Sequence, residues 1–169
     1  KITLRFYRDC ESTNANAPGL GTGWNYQPLP ELQYSSVNCG YNLTTIFTLL
    51  NGTPNNITPN CASITDPCNS IVVVGIEEYV YETTIILDHC SDWSLTVCEG
   101  DRNAAITTIQ SPSNEDLCIE AEINNFSIGN NSPLFTEYPA LYICAGQAYC
   151  YNNGAVDIDG DSLVYSLEV

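Results

Sequence analysis

The sequence predicts an all-β fold: an antiparallel β-sandwich followed by part of a second β-sandwich domain. Three observations predict it. Apolar residues recur at every second position in one segment after another. The composition favours strands and polar turns, with 11 Tyr, no Met and abundant Thr, Ile, Val and Asn. The 3.6-residue period of an amphipathic helix is nearly absent.

The elements follow in order. The chain opens on a strand-like Lys1–Tyr7, with Ile2, Leu4 and Phe6 on one face. Leu43–Leu50 and Ile71–Ile76 are more uniformly apolar and read as central strands. From 79 to 87, Tyr79, Tyr81, Thr83, Ile85 and Leu87 share a face, opposite Val80, Glu82, Thr84, Ile86 and Asp88. Trp93, Leu95 and Val97 alternate with Ser94 and Thr96, and Leu117, Ile119, Ala121 and Ile123 with Cys118, Glu120, Glu122 and Asn124. Turn chemistry at Pro18-Gly19, Asn51-Gly52 and Asn153-Gly154 separates these runs. Ser127–Pro133 is small, polar and turn-rich, and marks a boundary. The expected domains are therefore a disulfide-stapled sandwich over 1–128 and a truncated second domain over 129–169, ending on a strand at Leu163–Val169. Both chain ends read as cut within strands.

Charge narrows the function. With 4 Lys and Arg against 20 Asp and Glu, the net charge is −16. Such a surface repels phosphate backbones and anionic lipid heads, so no nucleic-acid partner is expected. No apolar run is long enough to span a bilayer, so no membrane insertion is expected. The field attracts cations, divalent ones most.

Nine cysteines exceed ordinary usage, and no C-x2-C zinc spacing occurs. Disulfides in an oxidising compartment outside the cytoplasm fit this usage. Spacing suggests three local staples, Cys61–Cys68, Cys90–Cys98 and Cys144–Cys150, each stabilising by roughly 2–3 kcal/mol. Cys10 and Cys39 form a longer-range candidate pair, which leaves Cys118 over, either free or linked to another copy in a homopolymer.

The sharpest chemical motif is Asp157-Ile158-Asp159-Gly160-Asp161-Ser162. Carboxylates at alternate positions, with a glycine that lets the loop curl, point several oxygens at one hard cation, and calcium takes six to eight oxygens. Asp157, Asp159 and Asp161 are the expected metal ligands. An EF-hand does not fit, because Ser162 stands where that loop needs glycine and Leu163–Glu168 alternates as a strand.

The stretch Asn131, Pro133, Phe135, Pro139, Gly146-Gln147, Tyr149 and Ala155–Ser166 resembles the start of a cadherin-like or PKD-like repeat. The resemblance implies an Ig/cadherin-like sandwich and a calcium at Asp157, Asp159 and Asp161. Where a cadherin junction carries D-x-N-D-N, this chain has Ser127, Gly129, Asn130 and Asn131, so three of the four linker ligands are changed and a multi-calcium junction is not expected. Phe6–Cys10, Gly75–Glu82, Cys90–Trp93, Arg102–Ile106 and Ile119–Ala121 are similar to segments of the SprB-like gliding adhesins, giant surface repeat proteins of Bacteroidota. That resemblance implies type IX secretion, an extracellular filament at the cell surface, neighbouring repeats of the same long chain as partners, and attachment to a surface polysaccharide or substratum in gliding motility.

Catalysis is not expected. His89 and Cys90 are adjacent in a predicted strand and point to opposite faces, and G-x-S-x-G and P-loop motifs are missing. Glu78 and Glu82 read as a solvated strand face rather than a glycosidase pair. The functional expectation is a structural or adhesive module stiffened by disulfides and calcium. The alternative is a carbohydrate-binding module using Trp24 and Tyr26 in the glycine-rich loop.

Overall fold

A computed structural model of the chain describes residues 1–10, 17–21, 27–58, 75–100, 102, 104–126, 129–138, 146, 148–152 and 154–166. The fold is all-β, and among the described residues the only helical element is a 3₁₀ turn at Pro112–Asn114. The chain divides into two compact units, Lys1–Phe126 and Ser127–Val169.

The first unit is a sandwich of two antiparallel sheets. One sheet runs β1 (Ile2–Asp9), β6 (Ile76–Thr83), β4 (Thr48–Leu49), with β5 (Asn55–Asn56) also pairing β6. The other runs β3 (Tyr41–Ile46), β2 (Glu31–Ser36), β7 (Trp93–Glu99), β8 (Leu117–Ile123). The alternation of the sequence becomes the core: Leu4, Tyr79 and Tyr81 from the first sheet meet Leu32, Trp93, Leu95 and Val97 from the second. Trp93 is 1 % exposed and lies between Tyr34 and Tyr41, with ring centroids 6.0 and 5.3 Å away. The Tyr81 hydroxyl donates to the Pro18 carbonyl at 2.7 Å, pinning that loop beneath the core.

Two expected central strands change role. Leu43–Leu50 breaks at Phe47, where the chain leaves one sheet for the other, and Phe47 is 1 % exposed. Its apolar character serves a buried corner, and β3 and β4 end their sheets among the described strands. Ile71–Val74 lies outside the described residues, and Ile76 begins β6. The strand expected over 79–87 ends at Thr83 because the chain then crosses to the opposite sheet, with Ile85 and Leu87 still packed on the core. β2 was not anticipated. No strand forms over Leu163–Ser166, where Val164 is 90 % exposed.

β1 and the lysine just before it take up three of the four basic residues. Its register with β6 sets Tyr7 opposite Glu78 and Arg8 opposite Glu77. Lys1 reaches Glu82 at 2.7 Å, Arg5 reaches Glu78 at 2.5 Å and Arg8 reaches Glu77 at 3.8 Å. Glu78 is not the solvated residue the pattern suggested: its side chain is 2 % exposed, and it also accepts from the Tyr7 hydroxyl and Asn55 Nδ2. Tyr79 donates to Glu77, and burial followed by that carboxylate raises the Tyr79 phenol above its ordinary value.

The disulfides follow register instead of loop spacing. Cys39, in the β2–β3 turn, pairs with Cys90, and Cys98 pairs with Cys118 directly opposite in the β7–β8 ladder. The expected Cys90–Cys98 and Cys10–Cys39 pairs are therefore not formed, and Cys118 is not left over. Cys90 lies three residues before β7 and Cys98 is its next-to-last residue, so the extended run from Trp93 holds them too far apart to bridge. Cys10 is disulfide-bonded, but not to Cys39. Cys150 is a free, exposed thiol where a staple was expected, and Cys61, Cys68 and Cys144 lie outside the described residues.

Two measurements check this account. The staples span 51 and 20 residues of sequence. Replacing Cys39 and Cys90 by Ala is expected to cost about 4 kcal/mol, and replacing Cys98 and Cys118 about 3 kcal/mol, by urea denaturation without reductant. Arg5→Leu strands the buried Glu78 and is expected to cost about 3 kcal/mol, at the low end for such pairs because Arg5 is half-exposed, whereas Arg5→Leu with Glu78→Leu is expected to recover most of that loss. A double variant as damaged as the single one would show that the ion pair is not the cause.

Candidate functional site

The expected calcium ligands sit in the second unit, on a hairpin. β9 (Leu134–Phe135) pairs antiparallel with β10 (Ala155–Val156), with Phe135 opposite Ala155. Thr136 closes this ribbon by donating its N–H to the Gly154 carbonyl at 2.8 Å. Gly154 has φ +54°, and a β-carbon there would stand 2.6 Å from Glu137 Cγ, so both the backbone and the close approach require glycine.

The aspartates follow directly from β10. Asp157 Oδ1 accepts the N–H of Asp159 at 2.8 Å and of Asp161 at 3.1 Å, folding the loop over its own carboxylate. Asp159 faces the other way: its carboxylate accepts the Asn131 N–H at 2.6 Å and the Asn131 side-chain amide at 3.2 Å. The structure thus joins the two motifs that carried the repeat resemblance, the Asn131 opening and the Asp157 loop. Neither the second Asp157 oxygen nor the Asp161 carboxylate has a hydrogen bond among the described residues. Carboxylate oxygens suit a hard cation, but about half of those in this loop already accept N–H groups. Among the described residues, no three acidic, His or Cys side chains stand as a group able to hold one metal ion.

This unit also lacks a core of its own among the described residues. Leu134, Phe135, Val156 and Ile158 are 61, 66, 57 and 79 % exposed. A two-stranded ribbon cannot bury both of its faces.

A second polar cluster, which sequence reasoning missed, sits where the chain crosses from β6 to β7. Trp93 Nε1 donates to the Asp88 carbonyl at 3.0 Å, and the Tyr41 hydroxyl donates to the Asp88 carboxylate. Asn125 closes the crossing from the far side: its Oδ1 accepts the Cys90 N–H at 2.7 Å and its Nδ2 donates to the Asp88 carbonyl at 2.9 Å. Asp92 accepts from the Ser36 hydroxyl at 2.6 Å and the Asn38 N–H at 2.9 Å, which hold its carboxyl below the usual range. An adjoining hollow of about 350 Å³ is lined by Ser91, Asp92, Ser94, Glu122, Ile123 and Asn124.

The remaining candidates are placed as follows. Cys90 is in a disulfide and has no thiol to pair with His89, whose Nδ1 lies 2.9 Å from the Asn125 carbonyl. Glu77, Glu78 and Glu82 each hold a cation of the β1 segment. Trp24 and Tyr26, the aromatic pair of the carbohydrate-binding alternative, lie outside the described residues. No helix among the described residues is long and apolar enough to cross a membrane. No family model, no curated protein and no solved structure matches the chain.

Proposed function

We propose that the chain is a structural or adhesive module of a longer extracellular surface protein of the gliding-adhesin kind, and that it serves attachment by transmitting tension. One observation carries this reading: the second sheet is covalently continuous. Cys39–Cys90 ties the β2–β3 hairpin to the entry of β7, and Cys98–Cys118 ties the exit of β7 to β8. Tension along the chain runs through the two bridges, and the segments between their cysteines cannot lengthen while the bonds hold. For the 51- and 20-residue separations, this withholds about 180 and about 70 Å of extended chain. The strong negative charge supports solubility outside the cell. The resemblance to gliding adhesins agrees with an exported, filamentous setting.

In the same reading, the Asp157 loop takes calcium. The unengaged oxygens of Asp157 and Asp161 are its first ligands, and Asp159 joins by giving up Asn131. This requires that the ion compete with an existing hydrogen-bond set, so the affinity expected is that of a weak extracellular site, with Kd on the order of 10⁻⁴–10⁻³ M. Isothermal titration of the full chain with calcium is expected to give saturable heat that Asp161→Asn removes. Absence of heat with the native chain eliminates the calcium and leaves the disulfide argument standing.

The module reading is checked on cells that make the protein. Antibody against the chain is expected to label intact cells, and in-frame deletion of this segment to reduce their attachment under flow. Labelling that appears only after permeabilisation would refute the reading.

A further inference from the structure

β8 is the last strand of its sheet, and among the described residues no strand pairs with its outer edge. All residues from Leu117 to Glu122 are exposed. Leu117 and Ile119 follow the same alternation as Ala121 and Ile123, which stand opposite the core residues Leu95 and Trp93, yet they are 53 and 54 % exposed. The core-side face of β8 is therefore an apolar row that is left uncovered.

The ladder geometry identifies which backbone groups face outward. In an antiparallel pair, opposed residues alternate between bonded pairs, with Cα atoms about 5.5 Å apart, and non-bonded pairs, at about 4.5 Å. Cys98 and Cys118 are opposed with Cα atoms 4.1 Å apart, which makes theirs a non-bonded pair. By alternation, Ile119, Ala121 and Ile123 bond to β7, whereas Cys118, Glu120 and Glu122 turn their N–H and C=O groups toward the free edge. The disulfide fixes this register, so the edge cannot slip by one residue and hide its donors.

The side chains decide the occupant. Glu120 and Glu122 stand on the outer face at the residues whose backbone is free, and Glu115 and Asp116 precede the strand. A second β8 would bring like charges face to face, on a chain of net charge −16. We propose that the β8 edge accepts an extended segment of a partner protein in which Lys or Arg alternates with apolar residues. Its backbone extends the sheet, its cations face Glu120 and Glu122, and its apolar row continues that of Leu117 and Ile119.

The test uses the full chain and an acetylated seven-residue peptide alternating lysine with valine. Two controls are a glutamate–valine alternation and a block peptide of four lysines followed by three valines. Amide exchange followed by NMR is expected to show Cys118, Glu120 and Glu122 fast in the free chain and slowed by the lysine–valine peptide, with Ile119 and Ala121 already slow. Binding of that peptide is expected to be about tenfold tighter than either control, from two or three favourable cross-strand charge pairs. Glu120→Pro removes one outward N–H and no ladder bond, and is expected to abolish binding with the melting temperature nearly unchanged. Equal binding of the block peptide, or protection elsewhere than at the three amides, overturns the proposal. Slow exchange of the three amides in the free chain, together with concentration-dependent sedimentation, also overturns it and assigns the edge to a second copy.

Discussion

The first unit depends on how the chain crosses from β6 to β7, because that crossing puts Trp93 between the sheets. A strand leaving one sheet for the other must expose backbone carbonyls and amides at the edge of the core, and each one left unbonded there costs about 1–3 kcal/mol. Here the groups are matched. The Asp88 carbonyl takes the Trp93 indole and the Asn125 amide, and the Cys90 N–H goes to Asn125 Oδ1. No buried side-chain nitrogen or oxygen among the described residues lacks a partner. The same crossing carries Cys90, so the disulfide to Cys39 fixes covalently what the hydrogen bonds fix in orientation. With Trp93 set, Leu95 and Val97 follow by alternation, and β8 follows by register.

The allocation of charge is the second organising fact. A chain with four cations cannot pair 20 acids, so where the cations go matters more than how many there are. Three lie on the β1 segment and meet the three glutamates of β6. Glu78 is thereby buried with a counter-ion and two further donors, the condition under which a buried carboxylate is tolerated. Most of the remaining acids among the described residues are exposed, and at the β8 edge two of them coincide with backbone groups that no described strand pairs.

The parts of the fold that the sequence revealed, and the parts it concealed, have physical reasons. β1, β7 and β8 were legible because each has three or more apolar residues at alternate positions. β2 was not, because Leu32 and Tyr34 are its only apolar residues on the core face, and the third inward residue, Ser36, is buried through a bond to Asp92, 56 residues away. The cystine pairing was misread for the same reason: short spacing along the chain says which loops can close, whereas strand register says which cysteines meet. Glu78 looked like a surface residue because its cover comes from β1 and β5. At the candidate site, the Asp157 loop and the Asn131 segment were both legible as motifs. Their joining through Asp159 was not, since it spans 28 residues.

The two ladders that end the sheets answer to different conditions. Along β1–β6 the cross-strand ties are ion pairs, of which Lys1–Glu82 has its lysine 61 % exposed and is open to screening by salt. Along β7–β8 the tie is Cys98–Cys118, which salt and pH leave alone and only a reductant or an attacking thiolate removes. The crossing between the sheets responds to acid instead. Asp92 is held below its ordinary pKa by Ser36 and Asn38, so its contribution is complete above the ordinary carboxylate value and lost as the pH falls from there through the depressed value. Changes in salt and acidity thus act on the ion pairs and on the crossing and leave the cystine in place. The strand that precedes the second unit in sequence is therefore secured by the bond least sensitive to those changes, whereas the ion pairs among the described residues join the β1 segment to β6.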